Sequence, residues 1–340
     1  MFNGEVHYQS YNEIMERVRN FDVNYPIGKD ASGNYDLYII ELGKPENPTI
    51  FITSSIHGNE WHVTQMTLST LEMLRDDTYP DADFRNNIME NFHIVNIPMV
   101  NPWGVDNVQD VLQVSDRGRR NYNNVDLNRD FLNRSQPETR IVMEQLDKFK
   151  PFAHIDNHMY QSHYGLANGK DMIVYIENNN LHYIRDNIRN DLVNYTGHPI
   201  ETWDTVANHE RMAVNYLTWK PNPHTPDTLT ILTEIERPTR RPEGHVVRTF
   251  TPEDLYNYGN YYTYSYLKYA MQYYNEHYEE MRPEIPEIPG DLESGLFVSR
   301  NRNGLTETIT KRRNGRDTVS VFIRNLDGYV TSVETEVKEV

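Results

Sequence analysis

No cysteine occurs in the 340 residues, which excludes disulfides, thiolate metal ligands and cysteine nucleophiles together. Any metal must then be held by histidine and carboxylate. Positive charge is scarce as well: 33 Lys and Arg stand against 50 Asp and Glu, a formal net charge of −17. That balance argues against a nucleic-acid backbone or an anionic membrane surface as the main partner, and it leaves a neutral or cationic peptide open. No apolar run approaches the roughly 18 residues that cross a bilayer. The opening MFNGEVHYQSYNEIMERVRN also has no apolar signal-peptide core. The expectation is a chain that starts at Met1, has no transmembrane segment, and is cytoplasmic or virion-associated.

What is present is an alternation of helix-like and strand-like segments up to about residue 280. YNEIMERVRNF, WHVTQMTLSTLEMLRDD and PETRIVMEQLDKF repeat apolar residues at three and four, whereas YDLYIIEL, PTIFITSSI, FHIVNIPMV, PFAHIDNH and LTILTEIE are short apolar strands. A Tyr-rich helix begins at Pro252. Continuous apolar strands between helices predict an α/β fold with a mixed, largely parallel twisted sheet covered by helices on both faces. The prolines of MRPEIPEIPGDLESG favour an extended linker. Beyond it, Asn303-Gly304, Asn314-Gly315 and Asp327-Gly328 punctuate β-prone runs, the pattern of a small antiparallel β-meander. The expected boundaries are a catalytic domain over 1–282, a Pro-rich linker over 283–294 and an all-β module over 295–340.

Reactive groups of such sheets collect where strands end. One strand runs out into SSIHGNEWHV, where His57 and Glu60 leave on one tight turn and Gly58 spares the bend a Cβ clash. A thiolate-free zinc site typically takes two histidines and one carboxylate. HIDNH supplies the distant third ligand in His158 at a strand exit, with Asp156 or Asn157 available to orient it and His154 inside the strand as a core residue. RGRRNYNNVDLNRDF adds Asn128 and Arg129, with Arg119 upstream. A guanidinium pairs carboxylates bidentately, so a metal site facing this clamp describes an enzyme that recognises a free C-terminus.

These pieces, in order, make the sequence similar to the carboxypeptidase A-type zinc carboxypeptidases over most of residues 5–250. The stretches that carry the resemblance are IGKDASGNYDLYIIELG, HGNE, NPWG, RRNYNNVDLNRDF and HIDNHMYQ. The resemblance implies a carboxypeptidase-like fold and one Zn2+ held by His57, Glu60 and His158. It implies that Asn128 and Arg129 hold the substrate carboxylate and that Arg119 polarises the scissile carbonyl. The family's general base falls on Glu234 or Glu236, two apart on one strand face, with Glu234 preferred because it follows the uninterrupted apolar strand. Tyr216 is the candidate for a substrate-capping tyrosine.

Trp103 in NPWG and Asp130 in NRDF depart from the family pattern at positions that are not ligands. The alternatives are a peptidase of cell-wall stem peptides, acting on isopeptide or D-configured bonds and phage-associated, and an inactive metal-binding or scaffold protein. The expected partner is a peptide with a free C-terminus, the C-terminal module serving to bind a partner or the cell wall.

Overall fold

The computed structural model describes residues 2–108, 117–160, 172–204, 209–219, 228–236 and 250–277, and the strand residues 294–300, 306–313, 316–324 and 330–339. The chain forms two compact units, residues 1–222 with 226–275, and residues 223–225 with 276–340.

In the larger unit the elements run α1 (Tyr11–Val18), β1 (Val23–Lys29), β2 (Asp36–Gly43), β3 (Thr49–Ser54), α2 (His62–Arg75), α3 (Ala82–Asn91), β4 (His93–Ile97), α4 (Pro102–Asp106) and α5 (Pro137–Phe149). They continue with β5 (Ala153–Tyr160), β6 (Met172–Tyr175), α6 (His182–Thr196), β7 (Ile200–Trp203), α7 (Tyr216–Trp219), β8 (Leu229–Glu236) and α8 (Pro252–Glu276). The eight strands form one sheet in the order β1-β2-β4-β3-β5-β8-β6-β7. The central block β4-β3-β5-β8 is parallel throughout, and antiparallel pairings join it to β2 and β6. The expected mixed, helix-covered α/β sheet is what forms.

All six residues of β3 are buried, as a strand covered on both faces requires. On one face, Ile39, Phe51, Val95 and Ile97 of the sheet pack with Val142, Met143 and Leu146 of α5. On the other, α2 and α8 pack side by side: Thr70 donates to Asn260 at 2.8 Å, and Asn157 of β5 donates to Thr67 at 3.0 Å. Burying these two apolar layers, at about 25 cal/mol per Å2 of apolar surface, is the main drive to fold.

The pattern reading passed over β1, α3, β6, α6 and β7. In α3 only Phe84 and Ile88 are buried, so its apolar stripe is too thin to register as periodic. β1 carries Pro26 and Gly28 and lies at the sheet edge, where a missing ladder donor is tolerated.

The smaller unit contains β9 (Ser294–Arg300), β10 (Thr306–Arg313), β11 (Arg316–Arg324) and β12 (Val330–Glu339), consecutive antiparallel neighbours in the order β12-β11-β10-β9. The turn pairs Asn303-Gly304, Asn314-Gly315 and Asp327-Gly328, and nearly all of the 283–294 linker, lie outside the described residues.

Candidate active site

The site is built where β3 ends beside β5, which continues past it to Tyr160 and so holds His158 inside the strand. β3 stops because Ser55 adopts a left-handed backbone with φ +51°, a conformation that is strained for a residue with a Cβ and is seen often at functional sites. The kink turns the chain into a single 3-10 turn, Gly58–Glu60, so His57 and Glu60 leave the strand on the same side. Gly58 is required here by a close approach: a Cβ would overlap the backbone of Gly104 and Val105 in α4. That α4 turn is capped by Asn101, whose side-chain oxygen accepts from the Gly104 N–H at 2.9 Å while its amide donates to the Arg119 carbonyl at 3.3 Å. The HGNE and NPWG stretches therefore interlock, and the loop bearing Arg119 is tied to both.

His57, Glu60 and His158 converge, with one ligand atom of each lying within 4.8 Å of the others and all three side chains buried. The Nδ1 atoms of His57 and His158 face the two oxygens of Glu60, at 2.9 and 3.0 Å. Each ring's Nε2 faces a different carboxylate: His57 meets Asp126 at 3.0 Å, and His158 meets Asp156 at 2.9 Å. A carboxylate accepts only, so each ring meets an acceptor at both nitrogens, Glu60 at Nδ1 and an outer carboxylate at Nε2. With an ion in place of the Nδ1 protons, each Nε2 would donate outward to its carboxylate and leave the Nδ1 lone pairs aimed at the common point, the arrangement that orients metal-binding histidines.

The charges point the same way. Burial would raise the Glu60 carboxyl, but the flanking histidines hold it well below the usual range. Asp126 is likewise pushed up by burial, and His57 and Arg119 overcome this to hold it low. Burial would lower His158, and the Asp156 and Glu60 carboxylates raise it well above its ordinary value instead. Among the described residues, four carboxylates (Glu60, Asp126, Asp156 and Glu234) surround this point against two guanidiniums, Arg119 and Arg129. This excess of carboxylates over guanidiniums is negative charge that a divalent cation would meet. The donor set of two imidazoles and one carboxylate, dictated by the absence of cysteine, fits zinc.

Arg119 donates to Asp126 at 3.0 Å and approaches His57 Nδ1 at 3.3 Å, with 29% of its side chain exposed. Asn128 and Arg129 sit in a 3-10 turn, Leu127–Arg129. The Asn128 side-chain oxygen accepts from the Ala213 N–H at 2.9 Å, which turns its amide nitrogen to within 3.3 Å of His158 Nε2. Glu234 is the register partner of His158 on the neighbouring parallel strand, whereas Glu236 pairs with Tyr160. Burial pushes the Glu234 carboxyl up to about 7, against the lowering pull of His158.

Tyr216 lies elsewhere. It is 1% exposed, packs in the cluster containing Phe131 and Leu146, and donates its hydroxyl to Asp147 at 2.9 Å. A tyrosine held in the core does not swing over a substrate, and the expected capping role does not suit this placement. Asp126 is the site residue that pattern reading missed. It stands in the VDL stretch beside Asn128 and Arg129, and nothing in the local sequence ties it to His57.

Sheet order and buried triad together define a carboxypeptidase-fold protein with a candidate divalent-metal centre. The metallo-carboxypeptidase from Burkholderia cenocepacia superposes with a TM-score of 0.58 at 13% identity, covering 76% of this chain and 68% of that one. Residues 24–165 match the zinc carboxypeptidase family model, and over this segment the resemblance read from the sequence is borne out. Carboxypeptidase D of Mus musculus is 29% identical over 160 residues, 43% of this chain and 12% of that protein. Carboxypeptidase SOL1 of Arabidopsis thaliana is 34% identical over 149 residues, 39% of this chain and 28% of that protein. The chain thus spans well under half the length of these curated relatives.

Proposed function

We infer that this chain is a zinc-dependent metallocarboxypeptidase that removes C-terminal residues from peptides, with one zinc per chain. The observation that carries this reading is the convergence of His57, Glu60 and His158 with both imidazoles aimed through Nδ1.

Zinc bound there supplies a Lewis acid that brings the pKa of a coordinated water to about 7. The chain's own residues do the rest. Glu234, beside His158, takes the proton of the attacking water at its carboxylate and returns it to the leaving amine. Arg119, held by Asp126 and partly exposed, faces the oxygen of the scissile carbonyl and meets the charge that develops on it. Asn128 and Arg129 hold the substrate's terminal carboxylate, Arg129 through the planar fork that suits it. The four-stranded unit is assigned an anchoring role on a partner or cell wall, which co-sedimentation of the full chain with purified wall tests.

The deciding experiment incubates the zinc-loaded chain with peptides ending in a free acid, the same peptides amidated, and muropeptides, with mass-spectrometric detection. Free acids should lose their last residue and amidated peptides should resist. Equal cleavage of both would overturn the carboxylate clamp, and cleavage of muropeptides alone would move the substrate to the cell wall.

A further inference from the structure

His154, Asp156 and His158 alternate along β5 and so share one face of the sheet. Thr53 of β3 is the register partner of Asp156. The four side chains form one buried line. The Thr53 hydroxyl donates to Asp156 Oδ1 at 2.7 Å and meets His154 Nε2 at 3.0 Å, and Asp156 Oδ2 meets His158 Nε2 at 2.9 Å. None of the four is more than 2% exposed.

The protons along this line can be counted. A threonine hydroxyl has one hydrogen, and the carboxylate takes it. Toward His154 the hydroxyl is therefore an acceptor, and His154 Nε2 carries the proton. His154 Nδ1 has no hydrogen-bond partner among the described residues, so it is the bare nitrogen, since an orphaned buried donor would cost more. The Thr53 hydrogen is thus locked toward position 156. Asp156 in turn holds the proton of His158 on Nε2. The amide nitrogen of Asn128, whose oxygen accepts from the Ala213 N–H, also faces this Nε2 at 3.3 Å; as a donor it favours a bare Nε2, and the shorter, charge-assisted contact to Asp156 at 2.9 Å outweighs it.

We propose that Asp156 is a positioning residue: locked by Thr53 and His154, it fixes the proton of His158 on Nε2 and so commits Nδ1 to the metal. This rests on the metal-site reading above and adds to it which proton stays when the ion binds.

Asp156→Asn tests the lock, because an amide has one face of each kind. The Thr53 hydroxyl still points at position 156 and claims the amide oxygen, so the amide N–H is turned to His158. An N–H there drives the ring proton to Nδ1, the atom the ion needs. Zinc affinity of the full chain, measured by competition with a chromophoric chelator, should fall about 10- to 100-fold, with the melting temperature of the metal-free protein little changed.

Thr53→Val alone should bind zinc as the parent does, since a carboxylate has two equivalent faces. In Thr53→Val/Asp156→Asn the amide is free to turn its oxygen to His158, so zinc affinity should recover severalfold over the single Asn variant. Nitrogen-15 NMR of the zinc-loaded parent should show the His158 proton on Nε2.

Parent-like zinc affinity in Asp156→Asn overturns the proposal. So does a double variant weaker than either single one, which is the result of mere structural damage. Should the variants fail to fold, zinc held through Nε2 of His158 in the parent overturns it alone. Zinc binding by the parent without peptide hydrolysis would instead sink the enzyme reading and leave this inference standing.

Discussion

Gly58 and Gly104 meet backbone to backbone, so that a methyl group on the first would overlap the second. The contact sets how far the metal-binding turn sits from the α4 turn, and through Asn101 it also sets the height of the Arg119 loop. Gly58→Ala must push these loops apart. The expected cost is about 1–3 kcal/mol of stability, as for other overpacked interiors, with zinc affinity and hydrolysis falling together. Thermal melts with and without zinc check this, and an alanine variant with parent-like melting and zinc binding would show that the loops yield without consequence.

Glu234→Gln keeps the size of the side chain and removes the base. Hydrolysis should fall about 10^2- to 10^4-fold, the usual range for a positioned general base, while bound zinc per chain stays the same. Full activity would move the base to Glu236 or off this strand. The pH dependence follows from the burial that pushes the Glu234 carboxyl up to about 7. A base acts deprotonated, so kcat/KM should fall as pH drops through that value, and a cation at the triad shifts the fall toward lower pH. A rate profile from pH 4 to 9 reads the acid limb.

Much of this site was legible because its chemistry is local. HGNE follows directly on an apolar strand, and His158 stands near the end of another, where a covered sheet leaves side chains free. Between Glu234 and Glu236, which share a face, the apolar run gave only a preference for Glu234; the strand register is what puts Glu234 beside His158. Asp126 escaped notice because its value lies in a partner 69 residues away. Tyr216 poses the opposite problem: sequence does not distinguish a loop tyrosine from a core one, and its burial with a hydroxyl bond to Asp147 comes only from packing.

Tyr216→Phe separates those two roles. Loss of the hydroxyl bond to Asp147 should cost about 0.5–1.5 kcal/mol in denaturant unfolding, with kcat and KM unchanged. A capping tyrosine would instead show as a loss in kcat or a rise in KM at parent stability.

His154 provides a test of the buried line through acid stability. Burial lowers its pKa to about 4 from the ordinary 6.5. Below pH 6.5 the unfolded chain takes up a proton that the folded one refuses, so the unfolded state binds more protons and stability falls as pH falls. The loss begins near pH 6.5, is complete below about pH 4, and amounts to about 3 kcal/mol at about 1.4 kcal/mol per unit. A His154→Gln variant has no such proton to take up. Urea unfolding of the metal-free parent and variant at pH 7 and pH 4.5 should therefore show the parent losing about 2–3 kcal/mol more between the two conditions. Equal losses would mean that His154 is already charged in the folded state, and a charged imidazole there needs an acceptor at Nδ1.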